Sequence, residues 1–132
     1  VGVDIDRDPL LTARENRRRV ASTSSVSWVQ ADATALPLFT PEGTTVVMNP
    51  PFGAQNGNEH ADRSFLETTA EVAEVSYSIH NAGSAEFVES FASDRGGEVT
   101  HAYSAEFDLP ATYDHHTQDR RTIEVELFRI DW

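Results

Sequence analysis

The order of apolar and polar residues along the chain predicts strands that alternate with helices. Short apolar runs typical of buried strands lie at residues 1–6, 26–30, 44–48 and 75–79. Apolar residues at helical spacing cover residues 9–19, 61–73 and 85–93. Two longer strands follow at residues 98–107 and 122–130. This order predicts an α/β fold with a mostly parallel sheet and an antiparallel hairpin at its C-terminal end.

Length and composition set limits on the class of protein. A chain of 132 residues, 39% of them apolar, has room for one soluble globular domain. The chain begins at Val1, and a strand as apolar as the first one needs neighbours on both sides, so we expect an N-terminal portion of the domain to precede it. Cysteine is absent, which excludes disulfides and thiolate ligands in this chain. No apolar run suits a membrane span and no secretory signal opens the chain, so we expect a cytoplasmic protein without a membrane partner.

The net charge argues against a partner rich in phosphate. The chain carries 22 acidic and 10 basic side chains, a formal net charge of −12, and every basic residue is arginine. Proteins that bind nucleic acid normally contact phosphates through basic groups. A cytoplasm rich in salt would favour such an acidic surface, and we therefore expect a halophilic source.

Acidic residues follow two of the predicted strands. In open α/β sheets, ligands bind beyond the carboxyl ends of the strands. Asp4 ends the first strand, where a carboxylate can accept hydrogen bonds from both ribose hydroxyls of a nucleoside. Asp32 ends the second strand, where its oxygen can accept an adenine amino hydrogen while Ala33 offers its backbone N–H. Each aspartate alone is also compatible with a turn or with a helix cap, for which Asp6 is the better placed residue.

A more specific feature follows the third strand. There the chain reads Asn49, Pro50, Pro51 and Phe52. The two prolines fix the backbone and remove its donors, so the Pro50 carbonyl can face the crevice as an acceptor. The Asn49 side-chain carbonyl supplies a second acceptor, and together they can hold both hydrogens of one amino group and aim its lone pair at a methyl donor. Phe52 adds a flat face for an extruded base, so we interpret the segment as more than a proline turn that ends a strand.

The segment resembles motif IV of the amino methyltransferases. The similarity to one family, the methyltransferase-like 5 proteins, extends over residues 49–53, 62–66, 77–80, 108–113 and 123–127. These proteins are adenine-N6 methyltransferases of small-subunit ribosomal RNA in eukaryotes, with archaeal relatives. The resemblance implies a Rossmann-like class I methyltransferase fold with S-adenosyl-L-methionine as cofactor. The first strand of that fold and its glycine-rich loop have no counterpart after Val1, so we expect residues 1–132 alone to be inactive and any activity to belong to a longer protein.

The resemblance also implies which residues form the site. Those expected to contact the cofactor are Asp4, Ile5, Asp32, Ala33 and Asn49. Those expected to act in catalysis are Asn49, Pro50, Pro51 and Phe52. Those expected to contact RNA are Phe52, Tyr113, His116, Arg120 and Arg121. Thr117, Gln118 and Asp119 stand where the family tends to have lysines, which weakens phosphate binding there.

Two other polar clusters are given structural interpretations. Asp114, His115 and His116 are adjacent on one loop and rarely converge on one ion in such an arrangement, so no metal site is predicted. The three arginines 17–19 suit a solvated helix end, because cations favour the C-terminal end of the helix dipole.

Family members pair with a small zinc-binding activator subunit at the edge of the strand that here spans residues 26–30. An exposed edge with Val26, Trp28 and Gln30 on one face would otherwise promote aggregation, so a partner there is physically reasonable. Two alternatives to an RNA methyltransferase remain open. One is a protein-glutamine N-methyltransferase of the release-factor type, and the other is a non-catalytic interaction protein with a methyltransferase fold.

Overall fold

The structure of the protein is a computed structural model that describes residues 1–20, 25–51, 61–110 and 120–132. The chain divides into two compact units, residues Val1–Phe39 and Thr40–Trp132. Each unit has its own parallel strand pair. Among the described residues, no helix combines the length and apolar character that crossing a membrane would need.

The first unit is a βαβ arrangement. Strand β1 (Gly2–Asp4) leads into helix α1 (Arg7–Arg19), and the chain returns as β2 (Trp28–Gln30), which pairs in parallel with β1. Asp6 occupies the N-cap position of α1, as predicted, but its side chain makes no capping hydrogen bond. The Trp28 ring fills the space where a Cβ on Gly2 would lie, so this position needs glycine.

The second unit contains a four-stranded mixed sheet. Its strands are β3 (Thr45–Met48), β4 (Val75–Asn81), β5 (Glu98–Pro110) and β6 (Arg120–Asp131). The spatial order is β3-β4-β6-β5, with β3 parallel to β4 and β6 antiparallel to both of its neighbours. Helix α2 (Ala61–Val72) connects β3 to β4, and helix α3 (Ala85–Asp94) connects β4 to β5. The predicted C-terminal hairpin is therefore confirmed, with β6 inserted between β4 and β5.

One face of this sheet carries the core of the second unit. The buried core residues, contributed by α2, α3 and β6, are Leu66, Val88, Phe91, Ala92, Phe128 and Ile130. Apolar side chains are exposed on the other strands β3 and β5, with Val47 80% and Tyr103 57% accessible. Met48, the last residue of β3, packs against this core just before the chain reaches Asn49.

The predicted elements all occur, but their lengths differ from the prediction. β1 and β2 are shorter than the apolar runs at residues 1–6 and 26–30, because the chain turns into α1 after Asp4 and pairing with β1 begins only near Trp28. The last two strands are longer than predicted, because each continues to pair with the other as far as Pro110 and Arg120. Two of the four strand pairings are parallel and two are antiparallel.

Candidate active site

The carboxyl ends of β1 and β2 bring two predicted site residues to one edge of the first unit. In the parallel register Asp4 lies level with Gln30. The Ala31 N–H continues the pairing and donates to the Asp4 carbonyl oxygen at 3.0 Å. Asp32 follows directly, so both carboxylates sit at the same end of the strand pair, as the sequence pattern predicts.

Asp4 is oriented by a local hydrogen bond. The Asp6 backbone N–H donates to Asp4 Oδ1 at 2.8 Å, an arrangement that fixes the carboxylate rotamer just before α1 begins. Asp4 is half-buried, and this bond uses one of its two oxygens. A carboxylate held in this way still has acceptor capacity for hydroxyl groups.

Asp32 forms a tight turn with Thr34. Its Oδ1 accepts hydrogen bonds from the Thr34 backbone N–H at 2.8 Å and from the Thr34 hydroxyl at 2.7 Å. These two donors lower the pKa of Asp32, so the exposed side chain is ionised at neutral pH. Ala33 lies between Asp32 and Thr34, and its backbone N–H makes no hydrogen bond within the described ranges. A carboxylate oxygen and an adjacent N–H can together pair with an adenine edge.

A residue that the sequence pattern did not identify supports the same edge. Gln30 Nε2 donates to the Ile5 carbonyl oxygen at 3.1 Å and so ties the residue after β1 to the end of β2. The Ile5 side chain is 63% exposed. An exposed aliphatic side chain beside two carboxylates offers an apolar surface for a flat ring.

The second unit presents the predicted motif at the end of β3. Met48 is level with Ser78 of β4, and the chain then leaves the ladder at Asn49. Asn49 and Pro51 are exposed, whereas Pro50 between them is buried. A buried proline flanked by exposed residues holds the backbone in place while the Asn49 side chain remains accessible. Phe52 lies outside the described residues.

A buried polar cluster next to this strand end was not predicted. His80, near the end of β4, is fully buried, and its Nε2 lies 2.9 Å from Ser78 Oγ. Its Nδ1 lies 3.5 Å from Asp62 Oδ2 in the first turn of α2. Burial lowers the pKa of His80, opposed by the nearby carboxylates of Asp62 and then Glu126, so the ring is neutral at neutral pH. The sequence offers one sign of this cluster, namely a histidine within the strand β4, at one of the alternate positions that are buried.

The other residues predicted to contact RNA lie outside the described residues or at the start of β6. Tyr113 and His116 lie outside the described residues. Arg120 and Arg121 begin β6, where they pair with Pro110 and Leu109. In the part of the chain that the structure describes, no group of histidine, aspartate and glutamate residues could hold a metal ion.

The residues at the first edge fit the nucleoside part of S-adenosyl-L-methionine. Ribose hydroxyls and an adenine amino group are hydrogen-bond donors, and the side chains of Asp4 and Asp32 offer acceptor oxygens at one end of the strand pair. Ile5 adds an apolar surface and Ala33 adds a donor for a ring nitrogen. The donor and acceptor set therefore matches this half of the cofactor.

Comparisons with known proteins relate this chain to methyltransferases. Residues 1–110 match the family described as RMKL-like, methyltransferase domain. The uncharacterized protein MJ0284 of Methanocaldococcus jannaschii is 36% identical over 99% of this chain and 62% of its own length. The rRNA N(6)-adenosine-methyltransferase METTL5 of Danio rerio is 30% identical over 98% of this chain and 63% of its own length.

A solved structure agrees with the fold. PH1948 from Pyrococcus horikoshii, a candidate RNA methyltransferase, is 30% identical and superimposes with a TM-score of 0.78. The match covers 98% of this chain and 61% of PH1948. This chain thus spans about three fifths of the length of the relatives it matches.

The predicted Rossmann-like class I methyltransferase fold and the similarity to the methyltransferase-like 5 proteins are confirmed. The family and the fold imply S-adenosyl-L-methionine as the methyl donor. The roles of individual site residues stay predictions. Because the family match covers residues 1–110, the chain belongs to the RMKL-like methyltransferase domain family.

Proposed function

We propose that the protein transfers a methyl group from S-adenosyl-L-methionine to the N6 amino group of an adenosine in RNA, and that the RNA is that of the small ribosomal subunit. The observation that carries the proposal is the end of β3, where exposed Asn49 and buried Pro50 follow the strand directly. The similarity to METTL5 of Danio rerio, an rRNA N(6)-adenosine methyltransferase, supports the choice of base and of RNA.

Asn49 and Pro50 hold the amino group in this proposal. The side-chain oxygen of Asn49 and the backbone carbonyl of Pro50 each accept one hydrogen of the amino group, which turns the nitrogen lone pair outward. Phe52 stacks against the base, and such stacking contributes about 1–3 kcal/mol per base. The cofactor, when bound, supplies an electrophilic methyl group on sulfur. Positioning then accounts for most of the rate, because the amino proton can leave after the transfer without a strong base.

Asp4 and Asp32 bind the nucleoside half of the cofactor. Asp4 accepts hydrogen bonds from the ribose, and Asp32 accepts one from the adenine amino group while Ala33 donates to the ring. Ile5 packs against the adenine. The local hydrogen bonds from Asp6 and Thr34 hold the two carboxylates before binding, which lowers the entropic cost of association.

RNA and protein partners contact other parts of the chain in this proposal. Tyr113, His116, Arg120 and Arg121 contact the RNA. A small zinc-binding activator subunit adds a strand to β2, which pairs only with β1 among the described strands. With a net charge of −12, the chain has few basic groups relative to its acidic ones. A partner subunit can supply further basic groups for binding RNA phosphates. We expect the protein in the cytoplasm, together with the ribosomes.

The direct test is methyl transfer by the protein as its gene encodes it, including any residues that precede Val1. Purified small ribosomal subunits and purified release factors are each incubated with S-adenosyl-L-methionine that carries a labelled methyl group. We expect label in RNA, recovered as N6-methyladenosine after digestion to nucleosides. Label in the release factor would replace the proposal by protein-glutamine methylation, since an amide NH₂ offers Asn49 and Pro50 the same two hydrogens. No label in either substrate would favour a non-catalytic interaction protein.

A further inference from the structure

The buried histidine of the second unit connects two elements that flank the target-binding segment. β4 carries His80, and α2 carries Asp62 in its first turn. β3 pairs with β4 and continues into Asn49 and Pro50, and α2 begins at residue 61. The chain therefore leaves the sheet beside β4 at one end of residues 49–60 and is held against β4 again at the other end.

The two polar neighbours of His80 favour one tautomer of the ring. Nδ1 lies 3.5 Å from Asp62 Oδ2, without a hydrogen bond between them but close enough that the carboxylate favours an N–H at Nδ1. Nε2 then lacks a proton and accepts from the Ser78 hydroxyl at 2.9 Å. The result is a neutral ring with its proton on Nδ1, aimed at α2.

The surroundings of His80 contain few charged groups. Asp62 faces it from α2 and Glu126 from β6, while the Phe128 ring packs edge-on against it with 5.7 Å between centroids. Glu126 is itself engaged, because its Oε2 accepts from the Ser84 backbone N–H at 2.9 Å. Burial outweighs both carboxylates and lowers the pKa of His80, which keeps the ring neutral.

The cluster is under-satisfied for a purely structural core. His80 Nδ1 and Asp62 Oδ1 are both buried and make no hydrogen bond with any described residue. Burying unpaired polar atoms destabilises a fold, and an apolar residue of similar volume would avoid that cost. The apolar core cluster lies directly adjacent, since its Phe128 packs against the His80 ring. A role in holding α2 explains why a polar pair stands here.

We propose that His80 is a positioning residue, which holds the start of α2 through Asp62 and thereby sets the position of Asn49 and Pro50 toward the target amino group. This inference rests on the proposed function for the identity of the target. It assigns His80 no contact with substrate or cofactor. Its effect is on the geometry of the segment, and a small displacement of a reacting group can cost about 100-fold in rate.

Two substitutions separate the contacts of the ring. His80→Asn places an amide N–H near the Nδ1 position and keeps a donor for Asp62. His80→Gln places its amide near the Nε2 position and keeps only the contact with Ser78. His101→Gln, on the exposed strand β5, is the matched control.

The experiment measures methyl transfer and, independently of activity, the ¹⁵N NMR signals of Asn49 in the protein as encoded. We expect His80→Gln to lower kcat about tenfold with cofactor affinity unchanged, whereas His80→Asn and His101→Gln stay within about threefold of the parent. The Asn49 backbone and side-chain amide signals should shift in His80→Gln only. Imidazole ¹⁵N shifts of the parent should show a neutral ring protonated at Nδ1.

Each outcome decides one of the two proposals. If the Asn49 signals do not shift in His80→Gln, the positioning role is overturned whatever the activity. A parent ring that is protonated at Nε2 overturns it as well. Asn49 signals that respond as expected in a protein that methylates no RNA keep the positioning role and reject the proposed function. If His80→Gln fails to fold while His80→Asn folds, the contact with Asp62 is a general stability element and the positioning role is rejected.

Discussion

The two parallel strand pairs end in different ways. Beyond β1 and β2 the polar groups are accessible, and each carboxylate is held by a neighbour within two residues of it. Beyond β3 and β4, exposed Asn49 is followed by buried Pro50, and buried His80 of β4 faces the half-buried Asp62 of α2. The first end depends on local sequence, whereas the second depends on packing between helix and sheet.

This difference suits two different tasks. A nucleoside is bound through several donors and acceptors, and local turns are sufficient to present them. An amino group that must point at a methyl donor requires tighter positional control, which buried contacts provide. We therefore expect the second unit to be the more sensitive to substitutions in its core.

The largest expected effect is on the stability of the second unit. Phe128→Ala removes a fully buried ring from the core and should lower the free energy of unfolding by about 3–5 kcal/mol. Phe39→Ala is the matched control in the first unit, where the ring is fully exposed, and it should change stability by less than about 0.5 kcal/mol. Urea denaturation followed by circular dichroism measures both. A comparable loss in the two variants would contradict the role of Phe128 in the core of the second unit.

The next effect is on methyl transfer. Asn49→Ala removes one of the two acceptors for the amino group and should lower kcat about 100-fold or more, with cofactor affinity little changed. Asn49→Asp keeps an oxygen in place and should lose less activity. Asn16→Ala, on the exposed surface of α1, controls for a general effect of the substitution. Near-normal turnover in Asn49→Ala would refute the assigned role.

A smaller effect is expected on cofactor binding. Asp4→Asn keeps an acceptor for the Asp6 N–H but loses the charge that strengthens hydrogen bonds to ribose hydroxyls, so the Kd for S-adenosyl-L-methionine should rise about tenfold. Asp6→Asn is the matched control, because the Asp6 side chain makes no capping bond. Titration calorimetry measures both affinities. Equal effects of the two substitutions would point to the net charge of this edge rather than to a contact by Asp4.

The smallest effect is a pH dependence of stability. The pKa of His80 is lower in the folded protein than its ordinary value of 6.5, so the unfolded state binds the proton first as the pH falls. The stability that the neutral His80 ring contributes is fully present above pH 6.5 and declines as the pH falls toward the lowered pKa. Urea denaturation of the parent and of His80→Asn, between about pH 8 and pH 5, should show a steeper loss in the parent. Parallel curves would contradict a depressed pKa.

Sequence reasoning succeeded where a feature is encoded by neighbouring residues. Asp4, Asp32 and Asn49 were each predicted to lie where a strand ends, and the register of β1 with β2 and of β3 with β4 confirms that they lie at or just beyond strand ends. The end of α3 at Asp94 lies one residue from the predicted bound, and Gly96 follows it with a positive φ of 81°. The three arginines of the last turn of α1 also lie at a helix end, as predicted.

Other features depend on residues far apart in the sequence. The surroundings of His80 include Asp62 on α2 and Glu126 and Phe128 on β6, two distant elements that no local pattern relates to it. The insertion of β6 between β4 and β5 is likewise a tertiary property, as is the register shift between Val99 and His101. A hydrophobic pattern indicates which face of an element is buried but does not identify what buries it.

The position of β6 also affects how the protein is made. This strand comprises residues 120–131, yet it lies inside the sheet and supplies pairing partners to both β4 and β5. While the ribosome is still synthesising it, β4 and β5 have no strand between them, and their unpaired edges are open to contacts with other chains. Folding of the second unit is therefore completed only after synthesis of these residues, and a chain that stops before residue 120 would leave β4 and β5 prone to aggregation.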